Sequence, residues 1–353
     1  VLPTEMLFIV DLIATLAPYL LITLSLNLEY GYGGIPNFGK ALSVAAGAFV
    51  VGYLPGRLAA RLLGIGQGLD YLKNNIAIVT EITKVLQANI LLSLLILALT
   101  LVVAIIVGAA MGFLASYVVI RKRLDFAYLA MTLLAGAEVL VIIGYNYEEI
   151  AYGSRGVSVP DPFAWTGVNR FPAITLFMLI VAIAVFVYLH FLTTSPLGRL
   201  LRAIRDNEDA ALALGKDIVK IRLKTMALSS GIAALAGALY SFYTVSVIAT
   251  AYDRVSWTFW PLLMVILGGA ANNTGVFLGT FTFLTVRKII TFYKETLAPF
   301  VPFDVVWLDP LLLGTFLLII LLYRPHGLIP EKPVKTISVT EPALKNMERK
   351  SEG

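Results

Sequence analysis

Residues 90–119 read ILLSLLILALTLVVAIIVGAAMGFLASYVV, without a single charge. A helix crosses the hydrocarbon core of a bilayer with roughly 20 apolar residues, so this run is long enough to span. It is continuously apolar rather than alternating, which argues against the strand of a membrane β-barrel. The stretch 172–192, PAITLFMLIVAIAVFVYLHFL, reads the same way. The whole chain agrees: 353 residues are 59% hydrophobic and 14% charged, with a mean hydropathy of +0.86. A soluble domain carries about 25% charged residues. The expected fold is all-α, a polytopic transmembrane helical bundle of about 8–10 spans with interrupted glycine-rich helices.

Spans are expected at 6–28, 40–60, 90–119, 126–144, 172–192, 225–248, 257–268, 276–293 and 307–323. The two pieces flanking 269–275 are short, and an alternative is that they are half-helices of one broken or re-entrant element. Residues 6–28 lack a basic flank and a small-residue cleavage site, so they read as a span and not as a signal peptide. Residues 64–88 mix polar and apolar positions and suggest a surface helix on the outer leaflet or packed over the bundle. Residues 1–330 form a single transmembrane domain on this reading, and 331–353 a polar, disordered tail.

Lysine and arginine set the orientation. They gather at Arg121, Lys122 and Arg123, then at Arg199, Arg202, Arg205, Lys216, Lys220, Arg222 and Lys224, and then from Arg324 through Lys332, Lys335, Lys345, Arg349 and Lys350. These regions are expected to be cytoplasmic. The loop at 145–170 balances Glu148, Glu149 and Asp161 against Arg155 and Arg170, which suits the outside. Nine crossings then put the N-terminus outside and the C-terminus inside a cell membrane (the inner one, where there are two), with Arg57 and Arg61 as weak violations. The net charge of +5 follows from basic loops and calls for no nucleic acid. With no cysteine and only His190 and His326, disulfides, thiolate chemistry and a histidine-rich metal site are excluded.

The polar insert 195–223, SPLGRLLRAIRDNEDAALALGKDIVKIRL, is unusually ordered for a loop. Ser195-Pro196 reads as an N-cap followed by proline at the first helical position. Leu197, Leu200, Leu201 and Ile204 then share one helical face. Arg199, Arg202 and Arg205 share another, placed for lipid phosphates at the membrane surface. Asp206 or Asn207 caps a second short helix, Glu208 and Asp209 occupy its first turn, and Gly215 suits its C′ end. The competing interpretation is a solvated linker.

Elsewhere, Ala227, Ser230, Gly231, Ala234, Gly237, Ala238 and Ser241 recur every three or four residues, a small-residue face for close helix contact. Gly33, Gly34 and Gly39 surround Pro36 and Asn37, while Gly268, Gly269, Asn272, Asn273 and Gly275 form a similar second segment. Such interrupted pairs mark pathways in transporters, and equally serve as tight turns for close packing. The two loops resemble each other as an internal repeat would. Glu138 is the intramembrane charge that most needs explaining, because a carboxylate within a span must face protein or water. It lines a path or bonds neighbouring helices. Asp11 and Glu29 lie nearer span ends, where they are easier to accommodate. Gly34 to Lys40 fits GxxxxGK, but Ala41 replaces the magnesium-binding hydroxyl and Pro36 removes an N–H, so nucleotide binding is rejected. No HExxH, GxSxG or paired aspartates support an intramembrane enzyme.

Several segments carry a resemblance in consistent order. NLEYGYGGIPNFGKALSVAAGAF (27–49) resembles GYxGxxxxGHxAF, with Lys40 where histidine is frequent. RLDFAYLAMTLLAGAEVL (123–140) resembles RGDYLAIVTLxFGEI, with Glu138 matching the glutamate. GSRGV (153–157), SPLGRLLRAIRDNEDAALALGKDI (195–218), WPLLMVILGGAANNTGVFLG (260–279) and LYRPHGLI (322–329) resemble GGSxGI, SPFGRALRAIREDExAAEALGI, LLMVVLGGxGSxxGPxxGA and FRPxGL. Together they resemble the larger permease subunit of the branched-chain amino acid ABC permease family.

That resemblance implies an importer subunit for branched-chain or related hydrophobic amino acids. Urea, short-chain amides or other small solutes are alternatives within the superfamily, and an ion-coupled transporter is a rival of another class. The implied partners are a second permease in a heterodimer, two cytoplasmic ATPases and an external solute-binding protein. ATP and magnesium would sit on the ATPases, with no cofactor in this chain. The second insert helix resembles the EAA coupling loop of ABC importers, here Glu208-Asp209-Ala210-Ala211 followed by Gly215. Arg205, Glu208, Asp209, Ala210, Ala211 and Gly215 are the coupling candidates. Gly33, Gly34, Asn37, Gly39, Glu138, Gly268, Gly269, Asn272 and Asn273 are the candidates for the translocation path.

Overall fold

The computed structural model describes residues 4–151, 153, 155–297, 307–323 and 327–331. The expected tail beyond Glu331, together with Ser154, Arg324 and His326, lies outside the described residues. Helices dominate: α1 (Thr4–Leu26) runs on into a π turn at Asn27–Tyr32, followed by α2 (Lys40–Leu63), α3 (Asn75–Ala88), α4 (Ile90–Arg121), α5 (Phe126–Asn146) and the short α6 (Glu148–Ala151). Then come α7 (Arg170–Thr194), α8 (Pro196–Asp206), α9 (Glu208–Ala213), α10 (Ile218–Thr244), α11 (Trp260–Gly268), α12 (Asn273–Leu297) and α13 (Leu308–Tyr323).

Seven helices among the described residues are long and apolar enough to cross a membrane: α1 with its π turn, α2, α4, α5, α7, α10 and α12. The span expected at 257–268 is corrected. Its helix α11 has nine residues, which at 1.5 Å per residue gives about 14 Å, too short for a core about 30 Å thick. The rest of that passage is irregular: a strand at Ser246–Val247, a 3₁₀ turn at Ala249–Ala251 and a π turn at Val255–Phe259. The piece after 269–275 is no half-helix, because α12 runs a full 25 residues. The α13 helix lies where the last span is expected, but its 16 residues leave it outside the seven.

The most apolar of these helices is not the most buried. The central helix α10 has a mean hydropathy of 1.4 over its apolar stretch, which is 83% buried. The peripheral α4 reaches 3.3 with 28% buried. Lipid is as apolar as leucine, so small residues that let backbones meet mark the inside of a membrane bundle. The small-residue face read from 225–248 supplies them. A Cβ on Gly237 would stand 2.0 Å from the Val44 carbonyl oxygen, and one on Gly47 would stand 1.9 Å from that of Ala234. Helices α2 and α10 therefore touch backbone to backbone, while Gly108 and Gly112 of α4 admit Ala234 and Ser230 from the other side.

The segments least constrained by hydropathy lie at the end opposite the insert. The α3 helix buries Ile78, Val79, Ile82 and Leu86 over the bundle. Two short strands, Val157–Ser158 and Ser246–Val247, pair antiparallel, a pairing the sequence reading did not anticipate. Arg170 forms an ion pair with Asp161 and donates to the carbonyls of Phe242 (3.1 Å) and Tyr243 (3.0 Å), closing the C-terminus of α10 with a positive charge. Arg57 stacks on Tyr53 and Tyr71 and donates to the Glu149 carbonyl at 2.8 Å, so its cation is satisfied locally.

Candidate functional site

The insert folds as a compact platform at the basic end of the bundle. Ser195 caps α8, its Oγ accepting from the Leu197 N–H at 3.2 Å, with Pro196 in the first turn. Asn207, not Asp206, caps α9, accepting from the Ala210 N–H at 2.9 Å. Gly215 takes φ +73°, and the bonds Gly215 N–H to Leu212 O (2.8 Å) and Lys216 N–H to Ala211 O (3.2 Å) end the helix. That left-handed position is why glycine stands there. Ile204, Ala211 and Ile218 form a small core of their own with Leu200, Leu212 and Ile221. Glu208 accepts from Arg222 at 2.8 Å, and Arg222 lies over the Phe126 ring, so α9 is fastened to α10 and α5. The outward surface is left to Asp209, Ala210, Ala213, Gly215 and Leu214, the last 77% exposed.

The arginine stripe is corrected. Arg199 is exposed, but Arg202 and Arg205 turn inward to protein and not to lipid. Arg205 donates to the Gly31 carbonyl at 2.7 Å and pairs with Glu331 at 3.0 Å and with Asp206 at 2.9 Å. Burial alone opposes the charge, but the hydrogen bonds to Asp206 and Glu331 outweigh it and hold the pKa above the ordinary arginine value. Arg202 donates to the Thr193 carbonyl at 3.2 Å and lies over the Tyr32 ring. Gly34, at φ +66°, passes so close that a Cβ there would meet Arg205 Cγ at 2.7 Å. The platform thus grips the glycine-rich loop at 33–39 directly.

Beneath that grip lies a polar network inside the bundle. Asn27 accepts from the Ala271 N–H at 2.8 Å and donates to Asn273 at 2.9 Å, and Asn273 donates to Thr193 Oγ1 at 3.1 Å. The two interrupted segments therefore meet, and Gly31 allows it: a Cβ there would lie 2.4 Å from the Ala271 nitrogen. One turn away, Glu29 and Lys40 form a fully buried ion pair at 3.1 Å, both side chains at 0% exposure. Asn37 donates to the same Glu29 oxygen at 2.9 Å, and Lys40 donates to Ser229 of α10 at 2.5 Å. Ser229 donates in turn to the Ser25 carbonyl at 2.7 Å. The second Glu29 oxygen has no hydrogen-bond partner among the described residues.

The sequence reading missed this pair. It treated Glu29 as an easily placed charge near a span end, and Lys40 only as a departure from a motif. The available signal was one acid and one base on either side of a glycine-rich break inside apolar sequence. Glu138, singled out instead, is half-exposed on the flank of the bundle and meets Arg254 at 3.4 Å.

The remaining path candidates serve packing and capping in this conformation. Gly33 is buried where the π turn closes, its N–H bonded to the Leu28 carbonyl at 3.2 Å. Gly39 presses on the Leu133 backbone of α5. Gly268 packs on Gly275 and Gly279, and Gly269 takes φ +106°. Asn272 accepts from the N–H groups of Thr274 and Gly275 to start α12, and donates to the Pro330 carbonyl.

Comparison with known proteins agrees with this architecture. The chain is 44% identical over 322 residues, 90% of its length and 92% of the relative's, to a protein of Methanocaldococcus jannaschii named probable branched-chain amino acid transport permease protein LivM. It is 27% identical over 265 and 268 residues to proteins of Salmonella typhimurium and Escherichia coli, each named high-affinity branched-chain amino acid transport system permease protein LivM. Those alignments cover 68% and 69% of this chain and 57% and 58% of the two relatives. No solved structure matches the chain. Residues 8–321 match the family described as branched-chain amino acid transport system, permease component, and the chain belongs to that family.

Proposed function

We propose that this chain is the transmembrane permease subunit of an ABC importer for branched-chain or related hydrophobic amino acids. It pairs with a second permease, two cytoplasmic ATPases that hold ATP and magnesium, and an extracytoplasmic solute-binding protein. The insert and the C-terminus lie in the cytoplasm. The outer surface of α9, with Asp209, Ala210, Leu214 and Gly215, seats in the ATPase. Glu208, Ala211 and Arg205 act from behind it, joining that surface to the spans.

The observation that carries this reading is the continuous chain of contacts from platform to core. ATPase closure displaces α9, the small core moves α8 with it, and Arg205 passes the motion to the Gly31 carbonyl and the loop at 33–39. Asn27 and Asn273 share the displacement between the two interrupted segments. A rigid connection of this kind is what rocking between outward and inward access needs. The translocation path runs along the flank bearing Glu138 and Arg254, since two half-exposed charges amid apolar side chains are stable only against water or another protein.

Reconstitution of the complex in proteoliposomes tests the proposal. Leucine or valine should accumulate only with ATP inside and binding protein outside. Accumulation that follows a sodium or proton gradient and ignores ATP would refute it.

A further inference from the structure

Arg254 and Glu138 form an unusual ion pair. Glu138 stands near the middle of α5, whose exposed neighbours Met131, Val139 and Ile142 are apolar. Arg254 leads into the π turn at Val255–Phe259, inside the irregular passage that replaces a full helix. Their side chains are 42% and 50% exposed, and they touch through one Nε–Oε1 approach of 3.4 Å. The contact is an ion pair and not a hydrogen bond, and neither side chain makes a hydrogen bond among the described residues, so the guanidinium donors and the second carboxylate oxygen remain open. A structural pair of this depth would be expected to look like Glu29 and Lys40: buried, short and multiply bonded.

Apolar side chains follow Arg254 along the π turn. Val255 is 46% exposed next to Arg254, and Phe38, 37% exposed, meets Phe259 with ring centroids 6.5 Å apart. Phe38 belongs to the loop gripped by Arg205. Its neighbours are Asn37, bonded to Glu29, and Gly39, packed on Leu133 of the same helix as Glu138. One cation, one anion and an apolar strip match a zwitterionic amino acid with an aliphatic side chain.

Resting on the importer reading above, we infer that Arg254 and Glu138 are a solute-binding pair. Arg254 receives the α-carboxylate, Glu138 the α-ammonium, and the strip of Val255, Phe259 and Phe38 takes the side chain. Without solute the two groups satisfy each other, and the loose contact opens when solute enters. Phe38 then reports occupancy to the loop that the coupling platform holds.

The test compares the complete complex carrying Glu138→Gln, Arg254→Gln or the exchange Glu138→Arg with Arg254→Glu, in proteoliposomes. Assembly with the second permease and the ATPases should match that of the unmodified complex. ATP-driven leucine uptake should fall at least tenfold in each single variant, and the exchange should not restore it, because the solute's charges would meet the wrong partners. Uptake unchanged in the single variants would overturn the assignment. Restoration by the exchange would also overturn it and make the pair a structural contact, within the chain or to the second permease. Absence of ATP-driven uptake by the unmodified complex would instead refute the importer reading itself, and the assignment with it.

Discussion

At the residue scale, the buried Glu29–Lys40 pair has the clearest consequences. Two charges withdrawn from water are tolerable only together, and removal of one leaves the other stranded. Lys40→Met should therefore destabilise the protein by about 3–5 kcal/mol, seen as a lowered Tm of the detergent-purified chain. Adding Glu29→Leu should recover most of that loss, since an apolar pair of similar volume is often neutral or better in such a position. A double variant no more stable than Lys40→Met would show that Glu29 is satisfied without its lysine. Arg205 acts differently, because its contacts join two elements and do not fill a core. Arg205→Ala removes a charge-assisted hydrogen bond to Gly31 and the pair with Glu331, each of a kind worth about 1.5–3 kcal/mol. The expected outcome is retained ATPase association with leucine uptake reduced about tenfold, the factor that 1.4 kcal/mol supplies. Equal loss of association and uptake would mean that Arg205 only holds the platform's shape.

Among the elements, α10 depends on having no side chain where it meets α2. Gly237→Ala places its Cβ almost on the Val44 carbonyl carbon and oxygen, an overpacking that costs typically 1–3 kcal/mol and more where backbone must yield. A lowered Tm in detergent checks it, with Gly215→Ala as a contrast. Gly215 has open space around its missing Cβ, so only the left-handed conformation is penalised, by about 1–2 kcal/mol. The platform itself was largely legible. Ser195, Pro196, Asn207, Glu208 and Gly215 are local signals, and caps act over three or four residues without reference to the rest of the chain. The direction of the arginines was not legible. Periodicity places Arg199, Arg202 and Arg205 on one face, but whether lipid, water or a carbonyl awaits them depends on what lies 174 residues earlier in the chain.

For the whole molecule, the absence of cysteine makes topology directly measurable. Leu214→Cys and Lys73→Cys place single thiols at exposed positions on opposite ends of the bundle. A membrane-impermeant maleimide applied to intact cells should label the cysteine at position 73, and reach position 214 only after permeabilisation. The reverse pattern would invert the proposed orientation. Sequence alone determined that this is a membrane-spanning helical bundle, where most of its helices lie and that its polar insert is ordered, because hydrocarbon thickness and helix caps impose rules that short stretches obey by themselves. Tertiary structure decided the rest. It put the moderately hydrophobic α10 at the centre and the most apolar helix, α4, at the periphery, shortened 257–268 to a nine-residue helix, brought Glu29 to Lys40 and moved Glu138 to an open flank beside Arg254. In each case the energy of a charge or a glycine depends on which distant backbone or side chain faces it, and hydropathy carries no information about that partner.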